Sequence, residues 1–214
     1  MDLIYNKHVV NDLGMVSCEL ISDSPLSFNI EENESLTTIR TKSHICQLIS
    51  INPKEDWLPT GMSVEHSHGW LWTFKKVGTS EENLHLKCYL KPTCAVESYN
   101  DSGQYLDALG IENDSKVMHI GTEDPEALYN RAKNSDYMPK RLIKEPPNID
   151  YYLGFTNYIE NGFKTEIPGL LENELVYFQY LYAINTRKQS AKYPDEEDSS
   201  TWYSVLHDRR FMLN

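Results

Sequence analysis

Short apolar or alternating runs separated by polar turns fill the first half of this sequence, and they limit its fold more than any other feature. The runs lie at residues 16–21, 26–30, 36–40, 45–51, 70–77 and 84–90. Because strand side chains alternate between two faces, runs of this length and spacing are typical of antiparallel sheets. We therefore predict a mainly β protein of sandwich-like antiparallel sheets with one or two helices.

The most regular pair of runs is 70–76 and 84–90. Trp70, Trp72 and Phe74 share one side of the first run, and the second run also places its apolar residues on one side. The segment between the two runs has the glycine and polar content of a hairpin loop. We predict that the two runs pair as a hairpin, with both tryptophans packed in the core.

The middle of the chain brings in other elements. Asp124 as a cap, Pro125 at the first helical position, and acidic residues ahead of basic ones predict a helix over 124–134. A weaker pattern predicts a second helix over 102–109. Residues 174–184 are apolar on both faces, which suits a central strand covered on both sides, and a buried helix is the alternative because it has the same pattern.

The rest of the second half is punctuated by prolines and acids. Residues 193–200 have the composition of an acidic loop, and a short strand is predicted over 202–206. Pro146 and Pro147 interrupt regular structure. We predict a single domain over 1–214, and a two-domain division near 145–150 is the alternative arrangement.

The charge balance restricts the kinds of partner. With 20 Lys and Arg against 32 Asp and Glu, the net charge is −12, so the average field repels nucleic acid and anionic membranes. The same field favours encounter with a basic protein, although acidity for solubility alone explains it equally well. The N-terminus has no secretory signal pattern and no window is apolar enough to span a membrane, which predicts a cytoplasmic protein.

The four cysteines show no pattern of a disulfide framework or a metal site. Cys18, Cys46, Cys88 and Cys94 are scattered, and the nearest pair is too widely spaced for a CxxC element. We expect buried or inert thiols, and for Cys94 a buried core position rather than a nucleophile beside a histidine.

One short segment has the composition of a metal site. In Glu65-His66-Ser67-His68, two histidines two residues apart on a strand point to the same face. With Gly61 ahead of them, they resemble part of the cupin motif, which implies a metal held in a β-barrel. The sequence has no carboxylate where that motif requires one, and a third ligand would have to come from an acid or another histidine. We therefore predict no metal and no cofactor, and we keep a metal-dependent enzyme or sensor using His66 and His68 as an alternative.

Other signs of catalysis are missing. The sequence has no GxSxG elbow, no GxxxxGK[ST] loop, no GxGxxG after a strand and no HExxH. The chain is therefore predicted not to be an enzyme, and no catalytic residue is assigned. Trp57, Trp70 and Trp72 lie close in sequence, so a carbohydrate-binding module is a further alternative.

Two acidic clusters are the candidate partner-binding residues. Both occur in segments of turn composition, where side chains are solvated and available, and two aromatic residues flank the second. The predicted partner-binding residues are Glu31, Glu32, Glu34, Tyr193, Asp195, Glu196, Glu197, Asp198 and Trp202. Small, acidic, aromatic-rich and without enzyme motifs, the chain resembles the bacterial immunity proteins that accompany secreted or contact-delivered toxins. The resemblance implies a cytoplasmic protein that neutralises a cognate basic toxin, such as a nuclease, by covering its active site.

Overall fold

The fold is described from a computed structural model. It describes residues 1–53, 58, 61–103, 105–134, 137–142, 154–187 and 196–207, with the backbone alone described at 196–198 and 207. The strands are β1 (Asp2–Asn11), β2 (Gly14–Ser22), β3 (Asn29–Glu32), β4 (Leu36–Arg40), β5 (His44–Ile51), β6 (His66–Lys76), β7 (Leu84–Pro92), β8 (Glu97–Asn100), β9 (Leu106–Glu112), β10 (Lys116–Glu123), β11 (Thr156–Ile159), β12 (Gly162–Glu166) and β13 (Leu175–Thr186). The helices are α1 (Pro125–Asn134) and α2 (Glu196–His207), with a 3₁₀ turn at Lys140–Leu142.

These strands form two open sheets in which every pair of neighbours is antiparallel. The narrower sheet has five strands in the order β1-β2-β7-β12-β11. The wider sheet has eight strands in the order β3-β4-β5-β6-β13-β10-β9-β8. The predicted mainly β fold, with antiparallel sheets and two helices, is confirmed.

The predicted hairpin between 70–76 and 84–90 is wrong. β6 pairs with β5 and β13, whereas β7 pairs with β2 and β12 in the other sheet. The chain therefore crosses between sheets at 77–83, and the two apolar faces meet across the core instead of lying side by side. Gly78 makes this crossing possible, because a Cβ atom there would lie 2.7 Å from the carbonyl oxygen of Lys42.

The core between the sheets is built on aromatic side chains. Trp70 and Trp72 of β6 are fully buried, as predicted, and they neighbour Tyr180 and Phe178 of β13 in the register. From the narrower sheet, Cys18 accepts a hydrogen bond of 3.2 Å from the Trp72 indole N–H. Both tryptophans are thus held inside the sandwich and offer no exposed platform for a sugar, while Trp57 lies outside the described residues.

The cysteine thiols are all free. Cys18, Cys46 and Cys88 are buried, and burial raises the pKa of the Cys46 and Cys88 thiols. Cys94 is exposed, so the expectation of a core position there is wrong. It follows β7 at the surface, where its sulfur accepts a hydrogen bond of 3.4 Å from the Asn113 side chain.

Helix α2 covers part of the outer face of the wider sheet, whereas α1 adds Leu128 and Ala132 to the main hydrophobic core. Helix α1 begins as predicted, with Asp124 Oδ1 accepting a hydrogen bond of 2.8 Å from the backbone N–H of Ala127. Helix α2 packs Val205 and Leu206 against Leu181 and Ala183 of β13. With the core on its other face, β13 is the central strand, covered on both sides, that the sequence predicts.

Two predicted elements are wrong. The helix predicted over 102–109 is largely replaced by β9, and Tyr105, at φ 68°, holds a left-handed backbone that no α-helix contains. The loop and strand predicted over 193–206 are replaced by α2 wherever they are described. Acidic residues in a first turn stabilise a helix, and a short apolar run does not distinguish a strand from a helix.

The domain boundary predicted near 145–150 lies outside the described residues. In the part of the chain that the structure describes, no helix is long and apolar enough to cross a membrane.

Candidate functional site

Strand β3 lies at the edge of the wider sheet and carries two of the candidate binding residues, Glu31 and Glu32. All four of its residues are exposed. Ile30 pairs in the register with Ile39, which is fully buried, so both side chains lie on the face toward the other sheet. Ile30 is nevertheless 42% exposed and the preceding Phe28 is 40% exposed. The wider sheet therefore extends beyond the cover of the narrower one at β3.

Exposed acidic side chains lie on the other face of β3 and in the turn that follows it. Glu31 is exposed, and its carboxylate lies 4.0 Å from Arg40, at the limit of an ion pair. Glu34 is also exposed, in the turn between β3 and β4. Asn33 shapes that turn, because its side-chain oxygen accepts hydrogen bonds of 3.1 and 2.9 Å from the backbone N–H groups of Ser35 and Leu36. Glu31 and Glu34 are thus available to solvent and to a partner.

Glu32 differs from its two neighbours, because it is bound within the fold. Its carboxylate accepts hydrogen bonds of 2.8 Å from the Tyr5 hydroxyl and 2.8 Å from the Lys7 ammonium, both on β1. The hydrogen bond from Lys7 is the main reason that the pKa of Glu32 is lowered. The Tyr5 ring packs edge-on against Trp72 at 6.2 Å between centroids. Glu32 therefore connects the two sheets at their edge.

The second acidic cluster lies elsewhere. Tyr193 and Asp195 lie outside the described residues, and Glu196, Glu197 and Asp198 begin α2. Helix α2 packs on β10 and β13, and β10 is five strand positions from β3. At about 4.8 Å per strand, that separation is about 24 Å. The structure does not bring the two predicted clusters together.

Trp202 anchors α2 to the sheet. Its indole N–H donates a hydrogen bond of 2.8 Å to the backbone carbonyl of Asp101. Nearby, the buried imidazole of His119 lies 2.9 Å from the Thr201 hydroxyl and 3.0 Å from the Asp101 carboxylate. These groups match a hydrolase triad in kind, but Thr201 is fully buried, so no substrate reaches its hydroxyl. We interpret the cluster as the attachment of α2.

His66 and His68 lie on the same face of β6, as predicted. His68 Nδ1 donates a hydrogen bond of 2.8 Å to the side-chain oxygen of Asn52. Burial, aided by the nearby charges of His66 and Lys7, lowers the pKa of His68 to about 4, so this imidazole is neutral at pH 7. Among the described residues, no three or more His, Cys, Asp or Glu side chains are placed to hold a metal.

The other histidines weighed as a third ligand are committed to different partners. His85 Nε2 lies 3.0 Å from Asp23, His119 belongs to the α2 attachment, and His44 Nδ1 lies 2.8 Å from Glu82. Each of these three imidazoles therefore has its own carboxylate, away from the His66 and His68 pair.

A cluster of buried ionisable groups, which sequence reasoning missed, lies where β5 begins and β6 ends. His44, Glu82 and Lys76 line a cavity of about 450 Å³. The Glu82 carboxylate accepts hydrogen bonds of 2.5 Å from the Thr41 hydroxyl and 2.8 Å from His44. Burial lowers the pKa of His44, and the contact with Glu82 only partly offsets this effect.

This arrangement favours a neutral imidazole oriented by a carboxylate, which is a geometry found in general bases. Lys76 is buried and donates a hydrogen bond of 2.6 Å to the carbonyl of Ser80. The Thr41 hydroxyl is already bound to Glu82, so it is not placed as a nucleophile. In the sequence, Glu82 was part of the predicted hairpin loop, and only the chain crossing brings it to His44.

Comparisons with known proteins identify no relative: no family model, no curated protein and no solved structure matches this chain. The functional interpretation therefore depends on the residues themselves.

Proposed function

We propose that this protein binds a basic protein partner at the β3 edge and neutralises it, as an inhibitor of a cognate toxin such as a nuclease. The single observation that carries the proposal is the exposed apolar strip of Phe28 and Ile30 on the inner face of the β3 edge, with the exposed carboxylates of Glu31 on the outer face and Glu34 in the adjoining turn.

The composition of this edge suits a protein interface. Large apolar side chains that lose their remaining exposure on binding contribute most of the affinity, and a charged rim accelerates encounter and selects partners of opposite charge. Phe28 and Ile30 are among the exposed large hydrophobic residues of the described chain. The net charge of −12 extends the attraction for a basic surface beyond the contact itself.

The inhibitory mechanism is occlusion. A nuclease holds phosphates with Lys and Arg side chains, so carboxylates can occupy the positions where phosphate groups would lie. Glu31 and Glu34 are free to do this, whereas Glu32 is held by Tyr5 and Lys7 and keeps the edge in place. The bound protein would then exclude the nucleic acid both sterically and electrostatically.

The test first identifies a gene adjacent to this one that encodes a basic domain, and then titrates that purified domain against this protein by calorimetry and stopped-flow mixing at low and high salt. Replacing Glu31 and Glu34 by Gln should slow association about tenfold at low salt, with a smaller effect at high salt. The matched control replaces the exposed acids Asp114 and Glu160 by Asn and Gln, which removes the same charge away from β3. Absence of binding, or equal effects of the two double variants, would overturn the proposal.

A further inference from the structure

We propose that the partner inserts an extended segment beside β3 as a ninth strand of the wider sheet, with Lys or Arg alternating with apolar residues. This inference rests on the proposed function and specifies its mode of recognition.

The hydrogen-bond register leaves the outer side of β3 open. The backbone N–H of Asn33 donates a hydrogen bond of 3.0 Å to the carbonyl of Leu36, so these two residues form a hydrogen-bonded pair of the ladder. Hydrogen-bonded and non-hydrogen-bonded pairs alternate in antiparallel sheets, so Glu31 with Thr38 is hydrogen-bonded and Ile30 with Ile39 is not. The backbone groups of Ile30 and Glu32 therefore point away from β4.

The other side of β4 supports this assignment. The backbone N–H of Thr41 donates a hydrogen bond of 3.0 Å to the carbonyl of His44. Because every second pair is hydrogen-bonded, Ile39 and Cys46 also form a hydrogen-bonded pair between β4 and β5. Ile39 directs its backbone groups toward β5 and has none left for Ile30. In the described chain, no other strand pairs with the free side of β3.

The side chains on β3 define the chemistry of the added strand. A neighbouring strand places its side chains alternately on the two faces of the sheet. On the inner face they would meet Phe28 and Ile30, and on the outer face they would meet Glu31. An apolar residue suits the first position and a Lys or Arg suits the second.

The charges also decide against a second copy of this chain as the occupant. Two β3 edges side by side would bring Glu31 and Glu34 of one copy close to the same carboxylates of the other, which is destabilising. Charged residues on edge strands prevent pairing between identical edges. A segment that carries Lys or Arg would instead be attracted by the carboxylates of Glu31 and Glu34 at this edge.

The first experiment is hydrogen exchange of individual amides, measured by NMR with and without the basic domain. The Glu31 N–H should be protected in the free protein, while those of Ile30 and Glu32 exchange rapidly. On binding, the exchange of Ile30 and Glu32 should slow about 100-fold or more, because new backbone hydrogen bonds must open before exchange. Binding without added protection at these two amides would overturn strand addition and leave the proposed function standing.

The second experiment removes one backbone donor. Ile30→Pro eliminates an N–H that makes no bond to β4, and proline is tolerated on a strand edge whose N–H faces solvent. Its affinity for the basic domain should be about tenfold or more below that of Ile30→Ala, which loses the side chain but keeps the N–H. Glu31→Pro is the structural control, since it breaks a hydrogen bond to β4 and should unfold this edge.

The outcomes separate the two proposals. Equal affinities for Ile30→Pro and Ile30→Ala would refute strand addition, provided that circular dichroism shows both variants folded. If Ile30→Pro is misfolded, the exchange experiment decides. Absence of binding by the unmodified protein would overturn the proposed function and strand addition together.

Discussion

The buried ion pair between Arg131 and Glu123 gives a quantitative prediction about how α1 is held. Arg131 donates hydrogen bonds of 3.0 Å to the Glu123 carboxylate and 2.8 Å to the carbonyl of Tyr177. Its guanidinium also lies 3.6 Å from the centre of the Tyr177 ring. The two charged side chains are only 1% and 3% exposed. Arg131→Met keeps the apolar stem but removes the guanidinium charge that balances the buried Glu123 carboxylate. The expected loss in the free energy of unfolding is about 3–5 kcal/mol.

A double variant separates the charge from the packing. Arg131→Met with Glu123→Gln removes both charges, so most of the loss should be recovered and about 1–2 kcal/mol should remain for the Tyr177 carbonyl that loses its donor. Urea denaturation followed by far-ultraviolet circular dichroism measures each value. At about 2–4 °C per kcal/mol for a chain of this size, the single variant should melt roughly 6–20 °C lower.

Two results would contradict this reasoning. One is a loss below about 1 kcal/mol for Arg131→Met, which would mean that the pair is effectively solvated. The other is a double variant as unstable as the single one, which would assign the whole effect to packing. Binding of the basic domain should be unchanged in both variants, because α1 contacts β10, which is five strand positions from β3.

The remaining predictions concern pH dependence and the attachment of α2. The pKa of His68 falls from 6.5 to about 4 on folding, so stability is complete above pH 6.5 and is lost as pH falls toward 4; His68→Phe should flatten that part of a stability-versus-pH curve. Burial, together with Asp124, raises the pKa of Asp107 to about 6, so its contribution is lost as pH rises from about 4 to 6; Asp107→Asn should stabilise the protein at pH 7 in thermal melts. Trp202→Phe removes the hydrogen bond to Asp101 and should cost about 1 kcal/mol in urea denaturation. These predictions are contradicted by an unchanged pH profile for His68→Phe, by a lower melting temperature for Asp107→Asn, or by an unchanged urea midpoint for Trp202→Phe.

The sequence predicted which residues face the core better than it predicted which strands are neighbours. The alternation of Trp70, Trp72 and Phe74 is a local property of one strand, and it correctly placed these residues inside. Pairing partners depend on where the chain goes after a turn, and a seven-residue connection suits both a hairpin and a crossing between sheets. The apolar faces of β6 and β7 are buried equally well side by side in a hairpin or facing each other across the core. Alternation alone therefore could not distinguish the hairpin from the crossing.

The same distinction limits what sequence says about the site. Composition gives the number of carboxylates, but Glu31 and Glu32 are adjacent and differ only in the face on which the strand places them. Alternation directs Glu32 toward the opposite sheet, where Tyr5 and Lys7 approach from a strand more than twenty residues earlier. Likewise, Glu82 meets His44 only because the crossing at 77–83 passes beside the start of β5. Neither contact has a local signature.

The two properties of the β3 edge, its openness and its acidity, are linked by the widths of the sheets. A sheet of eight strands against one of five leaves part of its inner face uncovered, which is why Ile30 stays exposed although its pairing partner Ile39 is buried. An edge that exposes apolar side chains and unpaired backbone groups would promote aggregation if it were neutral. Carboxylates at Glu31 and Glu34 make identical edges repel, and the same charges attract a strand that carries Lys or Arg. Protection from self-association and selection of a basic partner therefore follow from one arrangement of side chains.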